Sequence, residues 1–102
     1  MESNKIKTYI GFSIRKRSAR IGTNATNTLK KANLLLICPT ASENALKEAK
    51  KLKRKFNCLL IRTEQTLESL TSKENAKVMA ITDKSLAQAI IDNSPTQSIV
   101  ED

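Results

Sequence analysis

The stretch Leu34-Leu35-Leu36-Ile37-Cys38-Pro39-Thr40-Ala41-Ser42-Glu43 decides the fold. Its five consecutive apolar residues, bounded by Asn33 and Pro39, match a strand buried on both faces, and such a strand needs helices on each side. Thr40-Ala41-Ser42-Glu43 then has the pattern of a capping box, with Thr40 capping forward and Glu43 reaching back. Behind it, Ala45, Ala49, Leu52 and Phe56 recur at helical spacing, while Lys47, Lys50, Lys51, Arg54 and Lys55 occupy the other face. Asn57 ends that helix, and Cys58-Leu59-Leu60-Ile61 repeats the buried-strand pattern.

Towards the N-terminus, residues 3–16 place Ile6, Ile10 and Ile14 four apart, with Tyr9 and Ser13 alongside. This is a helical stripe, weakened by Gly11. Arg15-Lys16-Arg17-Ser18-Ala19-Arg20 carries four positive charges in six residues and leads into a short extended stretch ending at Ile21. After Gly22, Thr23 is a candidate cap for a helix whose apolar positions are Ile21, Ala25, Leu29 and Ala32. Its Thr and Asn residues are poor helix formers, so packing of Leu29 has to hold it. Towards the C-terminus, 64–70 reads as a short helix with Leu67 and Leu70 inward, 71–75 as a polar loop and 76–81 as a third strand. Asp83 is a candidate cap for a last helix carrying Leu86, Ala89 and Ile90, which Ser94-Pro95 stops. Helices alternating with short apolar strands give a sheet sandwiched by helices. A single α/β domain is expected over 1–93, with 94–102 as a flexible tail.

The 102 residues include no histidine, which excludes Ser-His-Asp and Cys-His catalysis and a closed Cys/His zinc site. The only glycines are Gly11 and Gly22, so no glycine-rich phosphate loop exists. Glu43 is accounted for by capping and Glu48 by pairing along its helix, which leaves no evident carboxylate pair for acid–base chemistry. The expectation is a protein that is not an enzyme and uses no cofactor or metal. Three aromatics (Tyr9, Phe12, Phe56) are too few for a platform that stacks single-stranded bases. No apolar run reaches the ~7–15 residues of a signal peptide or the ~20 of a membrane helix. Cys38 and Cys58 each sit in an apolar segment and read as small buried hydrophobes; a disulfide requires those segments to be neighbours. A cytoplasmic monomer without membrane contact is expected.

Charge is divided unevenly. Residues 1–62 hold 15 Lys/Arg against three acids, net +12, and residues 63–102 hold three Lys against seven acids, net −4. Such asymmetry suits a polyanionic partner or a basic surface kept for solubility. The segment Arg20-Ile21-Gly22-Thr23-Asn24 is the most informative. A glycine turn entering a helix can present backbone N–H groups to a phosphate, and Asn24 can read a base edge. Arg20, Lys30 and Lys31 then supply phosphate contacts, and the expectation is one contiguous cradle. Read alone, the same residues also fit an ordinary strand-to-helix turn.

The ordered set Ile10-Gly11-Phe12-Ser13-Ile14-Arg15, Ile21-Gly22-Thr23-Asn24, Leu34-Leu35-Leu36-Ile37-Cys38, Ala41-Ser42-Glu43-Asn44 and Val78-Met79-Ala80-Ile81-Thr82-Asp83 resembles the kink-turn RNA-binding ribosomal protein family. Its type members are the large-subunit proteins called "L seven Ae" and "L thirty e", and the chain is most similar to the small bacterial YlxQ-like members. The resemblance covers about residues 4–92. It implies a three-layer α/β/α sandwich with a mixed, about four-stranded sheet. It also implies binding to a sharply bent RNA, kink-turn-like or ribosomal, and association with the ribosome. It implies contacts from Gly22, Thr23 and Asn24 to sheared pairs. The same resemblance implies that Arg62 and Thr63 fall near the RNA groove and that Ser72, Lys73, Glu74 and Asn75 cover a flipped-out nucleotide. The chain departs from the pattern at Ala25, where many members have glutamate, and at Asn27 or Thr28, where they carry lysine; Asn27 joins the candidate contacts. Leu67-Glu68 stands for a Leu-Gly pair, and the loop near Ser72 lacks the usual apolar residues. A protein-interaction module on the same scaffold, with the RNA site lost, is the alternative expectation.

Overall fold

A strand with no polar side of its own is covered from both sides, and the rest of the chain is arranged around that requirement. In a computed structural model, which describes residues 4–101, the order is α1 (Asn4–Arg15), β1 (Ala19–Ile21), α2 (Thr23–Asn27), β2 (Leu34–Ile37), α3 (Glu43–Phe56), β3 (Leu59–Arg62), α4 (Leu67–Thr71), β4 (Val78–Ile81) and α5 (Lys84–Asp92). The sheet is mixed, in the order β1-β4-β2-β3. β2 and β3 are parallel, and β4 runs antiparallel to both β1 and β2. All four residues of β2 and of β4 are buried, as central strands of a covered sheet must be.

Alternate residues of these strands feed two separate cores. Leu34, Leu36, Ile61, Met79 and Ile81 pack with Ile6 and Ile10 of α1, Leu67 and Leu70 of α4, and Ala87 and Ile90 of α5. Leu35, Ile37, Leu60, Val78 and Ala80 pack with Ala49, Leu52 and Phe56 of α3. The result is the three-layer α/β/α sandwich, with α1, α4 and α5 on one face and α2 and α3 on the other.

Several local expectations are corrected. Thr40 does not cap α3: the Ser42 hydroxyl accepts from Ala45 N (3.1 Å), and Thr40 is occupied by Lys77, whose Nζ donates to its Oγ1 (2.9 Å). Thr23 does not cap α2 either. Gly22 holds the capping position at φ 96°, ψ 151°, with no side-chain cap bond. α2 is a single turn whose buried residue is Thr26 rather than Ala25, and Thr26 Oγ1 donates to Gly22 O (2.7 Å). The stretch 94–100, read as a flexible tail, lies along the free edge of β3: Val100 N donates to Leu60 O (2.7 Å), and Ile99 forms an antiparallel bridge with Ile61. Ile99 packs on one core and Val100 on the other, so the segment gains apolar burial on both faces as a strand does. Cys38 and Cys58 do sit on neighbouring strands but at opposite ends of them, about 16 Å apart along the strand direction. A disulfide needs a Cα separation under about 7 Å, so this pair cannot form one. Burial pushes the Cys58 thiol up to about 11, against a smaller opposing effect of Lys53.

Asp83 caps α5 as expected: its carboxylate accepts from Leu86 N (2.8 Å) and pairs with Lys16. The Lys16 hydrogen bond, with the Leu86 amide second, lowers its pKa. A lowered folded-state pKa makes this stabilisation present above the unfolded value and lost as pH falls through the folded one. Asp83→Ala is therefore expected to lower the thermal midpoint at pH 7, with the deficit shrinking as pH falls from about 4 through the lowered folded-state value. In the centre of the sheet, Leu35→Ala is expected to cost ~2–5 kcal/mol in denaturant unfolding, since Leu35 is fully buried between α3 and the neighbouring strands.

Candidate nucleic-acid interface

Strand direction determines which loops meet. β1, β2 and β3 end where β4 begins, because β4 alone runs the other way. Backbone hydrogen bonds tie the junction: Gly22 N donates to Val78 O (2.7 Å), Cys38 N to Lys77 O (2.8 Å) and Thr63 N to Ile37 O (3.1 Å). Three segments singled out in the sequence thus come to one end of the sheet. They are 22–24 at the start of α2, Arg62 and Thr63 at the exit of β3, and 72–75 before β4.

The last of these is held at both ends by backbone in the left-handed region, at Ser72 (φ 60°) and Asn75 (φ 56°). Ser72 N donates to Glu68 O (2.8 Å) and closes α4, and Thr71 Oγ1 accepts from Lys73 N (3.2 Å). An open hollow of about 490 Å³ lies against Glu68, Ser72, Lys73, Glu74 and Asn75. Asn24, Arg62, Ser72 and Lys73 are exposed, whereas Thr63 is buried and donates from Oγ1 to Gln65 O (2.7 Å), so Thr63 shapes the turn.

Beneath this end lies a polar cluster that spacing did not reveal. Lys77 Nζ donates to Glu68 Oε2 (2.8 Å) as well as to Thr40, and Cys38 Sγ lies 3.1 Å from Thr40 Oγ1 and accepts from Leu67 N (3.4 Å). The Lys77 hydrogen bond holds the Glu68 carboxyl below the usual carboxylate range, and Glu68 raises Lys77 in turn. Its members come from separate segments of the chain, and no local pattern links them. The cluster ties α4 to the β4 approach and so sets the base of the hollow.

The expected cradle is not contiguous. Arg20 lies on β1 opposite Ala80, and its guanidinium folds back to donate to Ala19 O (3.0 Å) and Arg17 O (3.4 Å), away from Gly22. Lys30 and Lys31 are exposed beyond the other end of α2, where Asn33 N donates to Ile81 O (2.9 Å) at the far end of the sheet. Asn27 stands between, with its carbonyl accepting from Lys55 Nζ (3.1 Å). Formal charges on the loop segments and the cluster beneath them cancel, with Arg62, Lys73 and Lys77 against Glu64, Glu68 and Glu74, while Lys7 and Arg15 of α1 line an adjoining hollow with Ser72. Of the three aromatics only Phe12 is exposed, and it carries the Arg15 guanidinium 4.9 Å from its ring centre on α1. Among the described residues, no group of three Cys, Asp or Glu is placed to hold a metal ion, and no helix is long and apolar enough to cross a membrane.

The Gly22 conformation controls how the chain turns from β1 into α2. A Cβ built there meets nothing within 4 Å, so substitution is penalised by the backbone alone. Gly22→Ala is expected to cost ~1–3 kcal/mol in denaturant unfolding, since φ 96° with ψ 151° is a region that glycine almost alone occupies. No family model matches the chain, and no curated protein matches it.

Proposed function

We propose that the protein is a non-catalytic RNA-binding protein of the kink-turn type, working in the cytoplasm on structured RNA such as that of the ribosome, with its loop end as the reading site. The observation that carries this reading is the convergence of 22–24, Arg62 and 72–75, far apart in sequence, on one end of the sheet. Unpaired and splayed-out bases are how proteins read RNA sequence, because the deep groove of an RNA helix is closed to side chains. The uncapped turn at Gly22 and the amide of Asn24 suit a base edge. The hollow over 72–75 suits an extruded nucleotide, with Lys73 beside it.

One observation favours the second reading, a protein-interaction module. The charges on the loop segments themselves cancel, so those segments add little long-range attraction to phosphate. On that reading, partners captured from cells survive nuclease treatment.

Gel-shift titration with a kink-turn RNA and a straight duplex of equal length separates the two. RNA reading predicts tighter binding to the bent RNA. Asn24→Ala should then remove ~1–3 kcal/mol of that preference, by analogy with base-edge contacts in DNA. Equal, weak binding to both RNAs contradicts it.

A further inference from the structure

The positive charge of this protein is concentrated away from the loops. Residues 22–57, which build the α2 and α3 layer, hold eight Lys/Arg and two Glu, net +6, against +5 for residues 1–21 and −3 for residues 58–102. Along α3, Lys47, Lys51 and Arg54 are exposed and follow each other at i, i+4 and i+7, so they form one stripe about 10 Å long on the side facing away from the sheet. Lys50 and Lys55 flank it. At its C-terminal end the stripe runs on to Lys30 and Lys31. The Lys55 ammonium reaches Asn27 O, and Lys31 shares a hollow with Lys53, Phe56 and Asn57.

Folding does not ask for this arrangement. Cations in the last turn are favoured by the helix dipole, which accounts for Lys53, Arg54 and Lys55. It does not account for Lys47, Lys50 and Lys51, and like charges at i,i+4, as at Lys47 and Lys51, oppose helix formation. Glu48 relieves this only in part, with one oxygen 3.5 Å from Lys51 Nζ. Glu43, at the first turn, is the other acid of the helix.

We infer that this face of α3, continued by Lys30 and Lys31, is a second contact surface that holds the phosphate backbone of a nucleic-acid duplex without reading its sequence. The composition of the face selects this partner. Its exposed positions carry no aromatic or aliphatic side chain to insert into a membrane interface or to anchor a protein partner. Four of its five cations on α3 are lysines, which meet phosphates as point charges rather than as planar forks. A spacing of three to four residues advances roughly 4.5–6 Å along the helix, between one and two of the ~3.4 Å axial steps from phosphate to phosphate on a strand. The inference rests on the RNA reading only for the identity of the ligand, because the surface is separate from the loop end.

The test is the salt dependence of binding to a straight RNA duplex and to a kink-turn RNA, for the full chain and for the variant Lys47→Gln/Lys51→Gln/Arg54→Gln. Glutamine is a comparable helix former, and unchanged circular dichroism and thermal midpoint establish that the variant is folded. For the straight duplex, the slope of log affinity against log salt is expected to fall by about 2–3 in the variant, at ~0.7–0.9 for each phosphate it no longer neutralises. The preference for the bent RNA, set at the loop end, is expected to survive. An unchanged slope overturns the inference while leaving the loop-end reading intact. A reduced slope in a protein that never preferred the bent RNA supports the inference and overturns the loop-end reading. Absence of binding by the unaltered protein to either RNA overturns both.

Discussion

β4 is the element on which the rest depends. It is buried on both faces and lies between β1 and β2, antiparallel to each. Because of that direction, the approach to β4 is placed against the exits of the three parallel strands. Had β4 run the other way, the 72–75 loop would lie at the end where Lys16 pairs with Asp83, and the Gly22 turn would have no neighbour from the second half of the chain. The Lys77 carbonyl and side chain fasten the junction, taking Cys38 N on one side and giving to Thr40 and Glu68 on the other.

Much of this was legible from the order of residues. Ile6 and Ile10, the run 34–38, the series Ala49, Leu52 and Phe56, and Asp83 before α5 each carry a period or a cap that has one physical solution, and each is found where that solution puts it. What was not legible depends on competition between equivalent local choices or on distant partners. Thr40 and Ser42 are both competent caps, and Lys77, thirty-seven positions away from Thr40, engages the first and leaves the second to the helix. Gly22 displaces Thr23 from the capping position through backbone conformation. Ile99 and Val100 look like tail residues until the open edge of β3 is known to lie beside them.

The candidate site divides in the same way. The three loop segments meet because of the sheet topology, which periodicity does not encode. The cations followed a different rule. Sequence adjacency suggested that Arg20, Lys30 and Lys31 flank Gly22, but a strand and a helical turn carry the chain across the sheet within a few residues. Arg20 turns its guanidinium back, and the two lysines emerge at the far end, next to α3. On the proposed reading, the loop segments, whose own charges cancel, serve shape and base edges, and the strongly positive helical face serves phosphates. Affinity and discrimination can then be altered separately, since phosphate contacts position a nucleic acid and base contacts specify it.

The most direct test of this account is amide chemical-shift mapping of the protein titrated with a kink-turn RNA. The account predicts that the largest perturbations fall on Gly22, Thr23, Asn24, Arg62 and residues 72–75, with a second, salt-sensitive set along α3. Perturbations confined to α3, or none at the three loops, would contradict it.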